Sequence, residues 1–267
     1  MLLFVASGLV ALAGFQLFVL TDHTDRYFSW TIAPGATAAF LGAGYIASIP
    51  LENLAARGRA WVDARHTIPP VLTFTILTEI ATLAHLDKFH FHERLVWAGL
   101  AAWLWLAIYT LVPITMIALL PRQLRAPGAD PPRTAPLPRA AAMLLGAQAI
   151  VLLLPGVLLF VDPVRWGSIW PWPLTPLTGR AVGAWLIGIA IGLIAAIAER
   201  DLIRIRPGLV AYATFGTVEL VAIARYAGDV EWSRPQAWVY VAVVISIAAV
   251  GWLGVVASRS RAGAGAT

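Results

Sequence analysis

The sequence predicts an all-α integral membrane protein with eight transmembrane helices, arranged as two parallel four-helix repeats. Three observations lead to this prediction. The 267-residue chain is 60% hydrophobic and only 12% charged, with a mean hydropathy of +0.78, whereas soluble domains contain about 25% charged residues. Several apolar runs reach the roughly 20 residues that a helix needs to cross a hydrocarbon core of about 30 Å. A short motif around a glutamate also occurs once in each half.

Proline and aromatic residues mark the limits of the predicted spans. Proline is favoured in the first turn of a helix, and tryptophan is enriched at the membrane interface. Pro34 follows Trp30 at the same spacing of four at which Pro176 follows Trp172. The first span has no basic residues before it and is predicted to be a retained helix, not a signal peptide. The spans are predicted at residues 2–20, 34–49, 69–85, 95–120, 140–161, 176–198, 207–226 and 237–257.

A segment rich in proline and arginine, residues 121–139, divides the chain in two. Residues 1–120 form the first predicted repeat and residues 140–257 the second, and residues 258–267 are predicted to be a disordered tail. Because each repeat contains an even number of spans, both have the same orientation. They should therefore be related by a pseudo-two-fold axis along the membrane normal.

Charge predicts the orientation and the partners. The loops predicted on one side carry twelve arginines and those on the opposite side carry five basic residues, so the positive-inside rule places both termini in the cytoplasm. The net charge of +5 is scattered through short loops, which indicates contact with the lipid bilayer and not with nucleic acid. Lys88 is the single lysine, and this arginine-rich usage is typical of a high-GC bacterial genome. We therefore expect a multi-pass protein of the bacterial plasma membrane.

The residue types that are missing exclude several kinds of chemistry. The chain contains no cysteine, so disulfides, thiolate metal sites and thiol catalysis are excluded. It contains no Walker motif, no G-x-S-x-G or H-E-x-x-H sequence and no glycine-rich nucleotide fingerprint. No enzymatic reaction and no cofactor is indicated by any motif.

The repeated motif supplies the candidate site. Residues 78–85, T-E-I-A-T-L-A-H, align with residues 218–225, V-E-L-V-A-I-A-R, so that Glu79 matches Glu219 and His85 matches Arg225. An ionisable group inside a membrane span is costly and is by default a functional-site hypothesis. Transporters bind their substrates near the midplane, between repeats. The leading hypothesis is therefore a transporter of a small solute or ion, with both glutamates at the repeat interface as an anchor or a proton relay.

Three basic residues complete this hypothesis. Arg180 is predicted at a depth from which it can pair with Glu219, while the first half offers no equivalent cation to Glu79. His85 and Arg225 lie six residues after their glutamates, and so face about 120° away from them on an α-helix. Both are expected to extend toward the interface.

Two alternatives from other classes stay open. In the first, the glutamates only fasten helices together in a non-catalytic subunit or scaffold, which would act with a partner subunit or as a homo-oligomer. In the second, a metal or redox site forms on the outer side, where nitrogen and oxygen ligands collect. The candidate ligands of that site are His23, His85, Asp87, His90 and His92, with Asp22, Asp25 and Glu93 close in sequence.

Overall fold

The computed structural model describes residues 2–58, 60–92, 95–125 and 129–264. The regular structure of these residues is helical, apart from two isolated β-bridges, which confirms the predicted all-α class. Eight of the described helices have sixteen or more residues. They are α1 (Leu2–Phe18), α2 (Gly35–Ala56), α3 (Ile68–Leu83), α4 (Val96–Leu124), α5 (Arg139–Val161), α6 (Pro176–Glu199), α7 (Arg206–Arg225) and α8 (Pro235–Ala264).

Five of these helices, α4 to α8, are long and apolar enough to cross a membrane. A sixth span is reached if α1 is joined to residues 21–27, to which it is bent by 91°. Helices α2 and α3 are not both long and apolar enough to cross a membrane, for different reasons. Helix α3 has only 16 residues, a length of about 24 Å, whereas α2 has 22 residues but contains Glu52, Asn53 and Pro50.

The predicted boundaries differ from the structure mainly at the ends of the two halves. Helix α4 continues to Leu124, into the predicted linker. Residues 258–264 of the predicted disordered tail are helical as part of α8. The remaining residues of the tail, 265–267, lie outside the described residues, as does Glu93 among the predicted metal ligands.

The connecting segments gather at two opposite ends of the bundle. At one end Arg65 forms ion pairs with Glu199 and with Asp130, at 2.6 Å in the latter case, and so joins the segments 60–67, 129–138 and 199–206. We call this end the arginine-rich side. At the other end Trp172 donates a hydrogen bond to Thr37 at 2.9 Å, and segments 21–34, 84–92, 162–175 and 226–234 meet. We call that end the tryptophan-rich side.

Helix packing is extensive both within and between the two halves of the chain. Helix α1 packs on α2, α5 on α6 and α7 on α8, while α2 packs on α7 and α3 on α6 across the halves. Glycines allow α7 and α8 to approach closely, since a Cβ atom on Gly251 would lie 2.4 Å from the backbone nitrogen of Ala213. The contact between α3 and α4 is much less extensive. Helix α4 therefore stands partly away from the bundle.

The proline-rich segment is packed against the bundle and is held by one carboxylate. Ala135 is fully buried, and Leu202 donates its backbone N–H to the Ala135 carbonyl at 2.7 Å. Oδ2 of Asp201 accepts the backbone N–H groups of Thr134 and Ala135, both at 2.8 Å. Its Oδ1 accepts two more from its own segment. Burial alone would raise the pKa of Asp201, but these four donors together lower it below its ordinary value.

Replacement of this carboxylate should destabilise the protein. In Asp201→Asn an amide NH₂ group would face two backbone N–H donors that are left without an acceptor, which should cost about 3 kcal/mol. The measurement is the midpoint of thermal unfolding and the free energy of unfolding in detergent. The matched control is Asp130→Asn, whose side chain is 46% exposed and should cost less than about 1 kcal/mol. Equal losses in both variants would contradict the assignment.

Candidate functional site

A cavity of about 760 Å³ lies toward the arginine-rich side of the bundle, between the two halves of the chain. Helices α1 to α4 supply one part of its wall, and α6 and α7, with Leu145 of α5, supply the other. The segment between α2 and α3 closes part of its mouth with Trp61, His66 and Thr67. The cavity is thus a large internal space at the junction of the two halves, with the volume of a small-molecule site.

The cavity has two routes to the outside. Gly58, Ala60 and Gln123 line it at the arginine-rich side and are exposed, so this end meets solvent. Val5 of α1 and Leu111 of α4 also line the cavity and are 55% and 61% exposed. These exposed apolar side chains indicate a second opening, between α1 and α4, toward the region where lipid tails would lie. A solute that partitions into the bilayer could enter the cavity there.

An aromatic layer closes the cavity toward the tryptophan-rich side. We define the layer by five side chains that pack ring against ring. Trp185 of α6 lies 4.0 Å from Phe74 and 5.2 Å from Tyr45, measured between ring centroids. A void of only about 10 Å³ remains within the layer. The five side chains are Trp30, Tyr45, Phe74, Trp105 and Trp185.

Polar groups are few in the cavity, and several have no hydrogen-bond partner. The hydroxyls of Tyr45 and Tyr109 bond to each other at 2.5 Å. Oε2 of Glu52, both ring nitrogens of His66 and the hydroxyl of Tyr212 are buried without a partner among the described residues. Because an unpaired buried polar group costs free energy, such groups are normally satisfied by protein, water or a ligand. Here they all line the same cavity.

His66 is held neutral by its surroundings. It is 4% exposed and lies in a short 3₁₀ turn, Arg65–Thr67, directly before α3. It packs close to Gly208, where a Cβ atom would lie 3.3 Å from its Nε2. Burial lowers the pKa of His66 to about 4, although the charge of Glu199 opposes this effect. At neutral pH the imidazole therefore offers the cavity one N–H donor and one acceptor.

The two glutamates of the repeated motif have partners within their own halves. Thr110 of α4 donates to Oε1 of Glu79 at 2.8 Å, and Tyr240 of α8 donates to Oε1 of Glu219 at 2.5 Å. Each glutamate thus joins the third helix of its half to the fourth. Neither side chain is among the described residues that line the cavity.

Of the three basic residues of the hypothesis, Arg180 and His85 contact each other, which was not expected. Nη1 of Arg180 lies 3.0 Å from Nε2 of His85, so the predicted pair of Arg180 with Glu219 is wrong. The side chain of Arg180 therefore contacts His85, just past the end of α3, and not Glu219 of α7. Arg225 extends toward the interface, where it donates to the carbonyl of Phe18 at 2.6 Å and lies over the ring of Tyr226.

The predicted outer metal ligands do not come together. Both ring nitrogens of His90 are engaged, one with the carbonyl of Phe28 at 3.0 Å and one with Thr31 at 3.1 Å. His85 is held by Arg180, and Asp87 pairs with Lys88 at 2.9 Å. Within the described part of the chain, no three His, Asp or Glu side chains are close enough to hold a metal ion. The site of His23, His85, Asp87, His90 and His92 therefore stays a sequence prediction without a geometric basis.

Sequence reasoning missed the polar residues of the cavity. Glu52 lies just past the predicted end of the second span, and His66 lies in a segment taken as a polar loop. One signal was present, since Glu52 follows Tyr45 by two helical turns and therefore shares its face. That pattern gives no indication of a cavity, because the opposite walls come from helices more than 100 residues away in sequence.

The buried His66 should make stability depend on pH. Its pKa is about 4 in the folded chain and about 6.5 in the unfolded chain, so between these values unfolding takes up a proton. Stability should therefore be unaffected by His66 above pH 7 and fall by about 3 kcal/mol as the pH drops to 4. The measurement is unfolding free energy against pH. His66→Leu should flatten the profile, whereas His92→Leu at an exposed position should not. An unchanged slope in His66→Leu would contradict this assignment.

Comparisons with known proteins give no indication of the function. A scan against protein-family models, a search of curated proteins and a search of solved structures give no match to this chain. The volume of the cavity, its two openings, the aromatic layer and the unpartnered polar groups are therefore the observations on which a functional proposal can be built.

Proposed function

We propose that this protein is a membrane carrier that binds a small hydrophobic solute in the cavity between its two halves. One observation carries the proposal: the cavity of about 760 Å³ is open toward the arginine-rich side and closed toward the other side by the aromatic layer. An internal site that reaches one side of the membrane at a time is what alternating access requires. Glu52, His66 and Tyr212 are the side chains that we place at the solute, in place of Glu79 and Glu219.

The proposal includes all eight long helices as spans, in two equivalent halves. Two features support this. The contacts of α1 with α2 and of α3 with α4 have counterparts in those of α5 with α6 and of α7 with α8. The contact of α2 with α7 has its counterpart in that of α6 with α3, as a two-fold relation between the halves requires. The short α3 would then cross a locally thinned bilayer or be extended by its flanking 3₁₀ turns. The arginine-rich side is assigned to the cytoplasm.

Movement of the solute would require the aromatic layer to separate. Trp185 belongs to the second half, whereas Phe74 and Tyr45 belong to the first, so the closing contacts run between the halves. Rocking of one half against the other would break these ring contacts and close the opposite end. At that end, ion pairs of Arg65 with Glu199 and of Arg204 with Asp130 already link segments from both halves. These ion pairs would hold the halves together during the motion.

The hydrogen bonds of Glu79 and Glu219 favour a structural role for these two residues. Glu79 and Glu219 each accept a hydroxyl donor from the next helix, as polar groups do when they fasten helices in a membrane. If the whole protein were a scaffold, the cavity would have no occupant and would not need to be reached from outside. Accessibility of the cavity therefore separates the carrier from the scaffold.

The absence of cysteine makes the eight-span topology directly testable. Ala60 and Asp87 are exposed and lie at the two ends of the short helix α3. In separate single-cysteine variants, a membrane-impermeant maleimide should label Ala60→Cys only from the cytoplasmic side and Asp87→Cys only from the outer side. The measurement is labelling in intact cells compared with inverted vesicles. Labelling of both positions from one side would show that α3 does not span, and would sink the two-repeat arrangement.

Access to the cavity can be tested in the same way. Ser48 lines the cavity, whereas Ala181 lines the small void within the aromatic layer. Ser48→Cys should react with a small impermeant maleimide from the cytoplasmic side, at least about tenfold faster than Ala181→Cys, because a buried thiol is inert. Ser233→Cys, at an exposed position on the tryptophan-rich side, is the control for sidedness. An unreactive Ser48→Cys in a folded protein would contradict an open cavity and, with it, the carrier.

A further inference from the structure

We infer that the cavity is built for a hydrophobic organic cation, an inference that rests on the proposed function and names its substrate class. The first observation is the charge of the wall. The chain has 19 basic and 14 acidic residues, yet no lysine or arginine is found among the described residues that line the cavity. The wall contains one carboxylate, Glu52, and one histidine, His66, which is neutral at pH 7. A basic protein thus surrounds a cavity whose one acidic side chain faces no lysine or arginine among the described lining residues.

Two arginines beside the cavity are paired with acids. Arg65 pairs with both Glu199 and Asp130 at the mouth. Arg204 is 6% exposed and lies 3.6 Å from Glu199 and 3.8 Å from Asp130. Because these two guanidinium groups already have acidic partners, they are not counterions for Glu52.

Glu52 itself lacks the partner that its position requires. Its Oε2 is buried, lines the cavity and has no hydrogen-bond partner in the described part of the chain. A carboxylate taken out of water is costly unless it is paired with a charge or with hydrogen-bond donors. A cation in the cavity would supply that charge. A neutral hydrocarbon in the same place would offer Glu52 neither a charge nor a hydrogen bond.

The remaining walls suit the apolar body of such a cation. Seven aromatic side chains line the cavity, and the faces of Trp and Tyr rings attract cations electrostatically. Aliphatic residues of α1, α4 and α6 supply most of the rest, and the gap between α1 and α4 admits molecules that dissolve in lipid. The aromatic side chains are Tyr45, Trp61, Phe74, Tyr109, Trp185, Tyr212 and Phe215. A wall with one acid, aromatic rings and aliphatic side chains suits a lipophilic ammonium or phosphonium ion.

The test uses two ions of the same shape and opposite charge. Tetraphenylphosphonium and tetraphenylborate are titrated separately into the full-length protein in lipid nanodiscs, with empty nanodiscs as the blank. Binding is followed by calorimetry and by tryptophan fluorescence, because Trp61 and Trp185 line the cavity. We expect the phosphonium to bind at least about tenfold more tightly than the borate, since one charge is attracted by Glu52 and the other is repelled.

Variants then assign the preference to Glu52. Glu52→Gln should weaken phosphonium binding by about tenfold or more and leave borate binding unchanged or stronger. Glu79→Gln is the matched control, because Glu79 lies in the neighbouring helix α3 but outside the cavity wall, and it should bind like the native protein. Should Glu52→Gln fail to fold, Ser48→Lys places an ammonium group one turn away on the same face of α2. It should abolish the preference for the phosphonium.

Each other outcome overturns the inference in a distinguishable way. Equal binding of both ions, or of the uncharged analogue triphenylmethane, would show a cavity that selects by hydrophobicity alone and would leave the carrier proposal standing. No binding of any probe, with Ser48→Cys still reactive toward maleimide, would overturn the substrate class only. No binding together with an unreactive Ser48→Cys would overturn the carrier as well. A preference for the phosphonium that survives Glu52→Gln would remove Glu52 from the site.

Discussion

The cost of a polar group that is buried without a partner organises this molecule. In an apolar bundle such a group must be satisfied locally, because no water is present to replace a missing bond. Oε1 of Glu79 and Oε1 of Glu219 accept bonds from the hydroxyls of Thr110 and Tyr240, and each bond ties two neighbouring helices together, while both Oε2 atoms are buried without a partner among the described residues. These groups are the ordinary polar fastenings of a helical membrane protein.

Three further groups of this kind face the cavity. Glu52, His66 and Tyr212 each keep a buried polar atom without a partner among the described residues, and all three face one space of about 760 Å³. A solute in that space would supply the missing partners, whereas neither repeated glutamate is among the described residues that line it. Their convergence on one cavity is therefore the reason to expect a ligand there. The presence of an acid is less informative than whether it adjoins a space that a ligand can enter.

The sequence was sufficient to predict the class of the fold and the ends of most helices. Composition alone indicates apolar helices, and Pro176 and Pro207 do stand in the first turns of α6 and α7. Depth along a helix was also predictable, because it depends only on residue count. The direction in which a side chain points around the helix was not predictable. Depth alone therefore suggested a pair of Arg180 with Glu219, although Arg180 contacts His85. The wall of the cavity comes from seven helices and is harder still to predict from sequence, since it depends on how those helices are inclined to one another.

The two halves of the chain differ in how closely their third and fourth helices pack. In the second half, Gly216 and Gly251 let the backbones of α7 and α8 come so close that a Cβ atom on either glycine would lie within 2.5 Å of the facing chain. In the first half, the alignment that pairs Glu79 with Glu219 puts Ile76 where Gly216 stands. Backbones in a membrane approach most closely over small residues, and the contact of α3 with α4 is much less extensive than that of α7 with α8. The second half of α4, from Ile108 to Gln123, contributes to the wall of the cavity, whereas no residue of α8 is among the described residues that line it. The loosely packed helix pair therefore borders the cavity with both of its helices, and the tightly packed pair borders it with α7 alone.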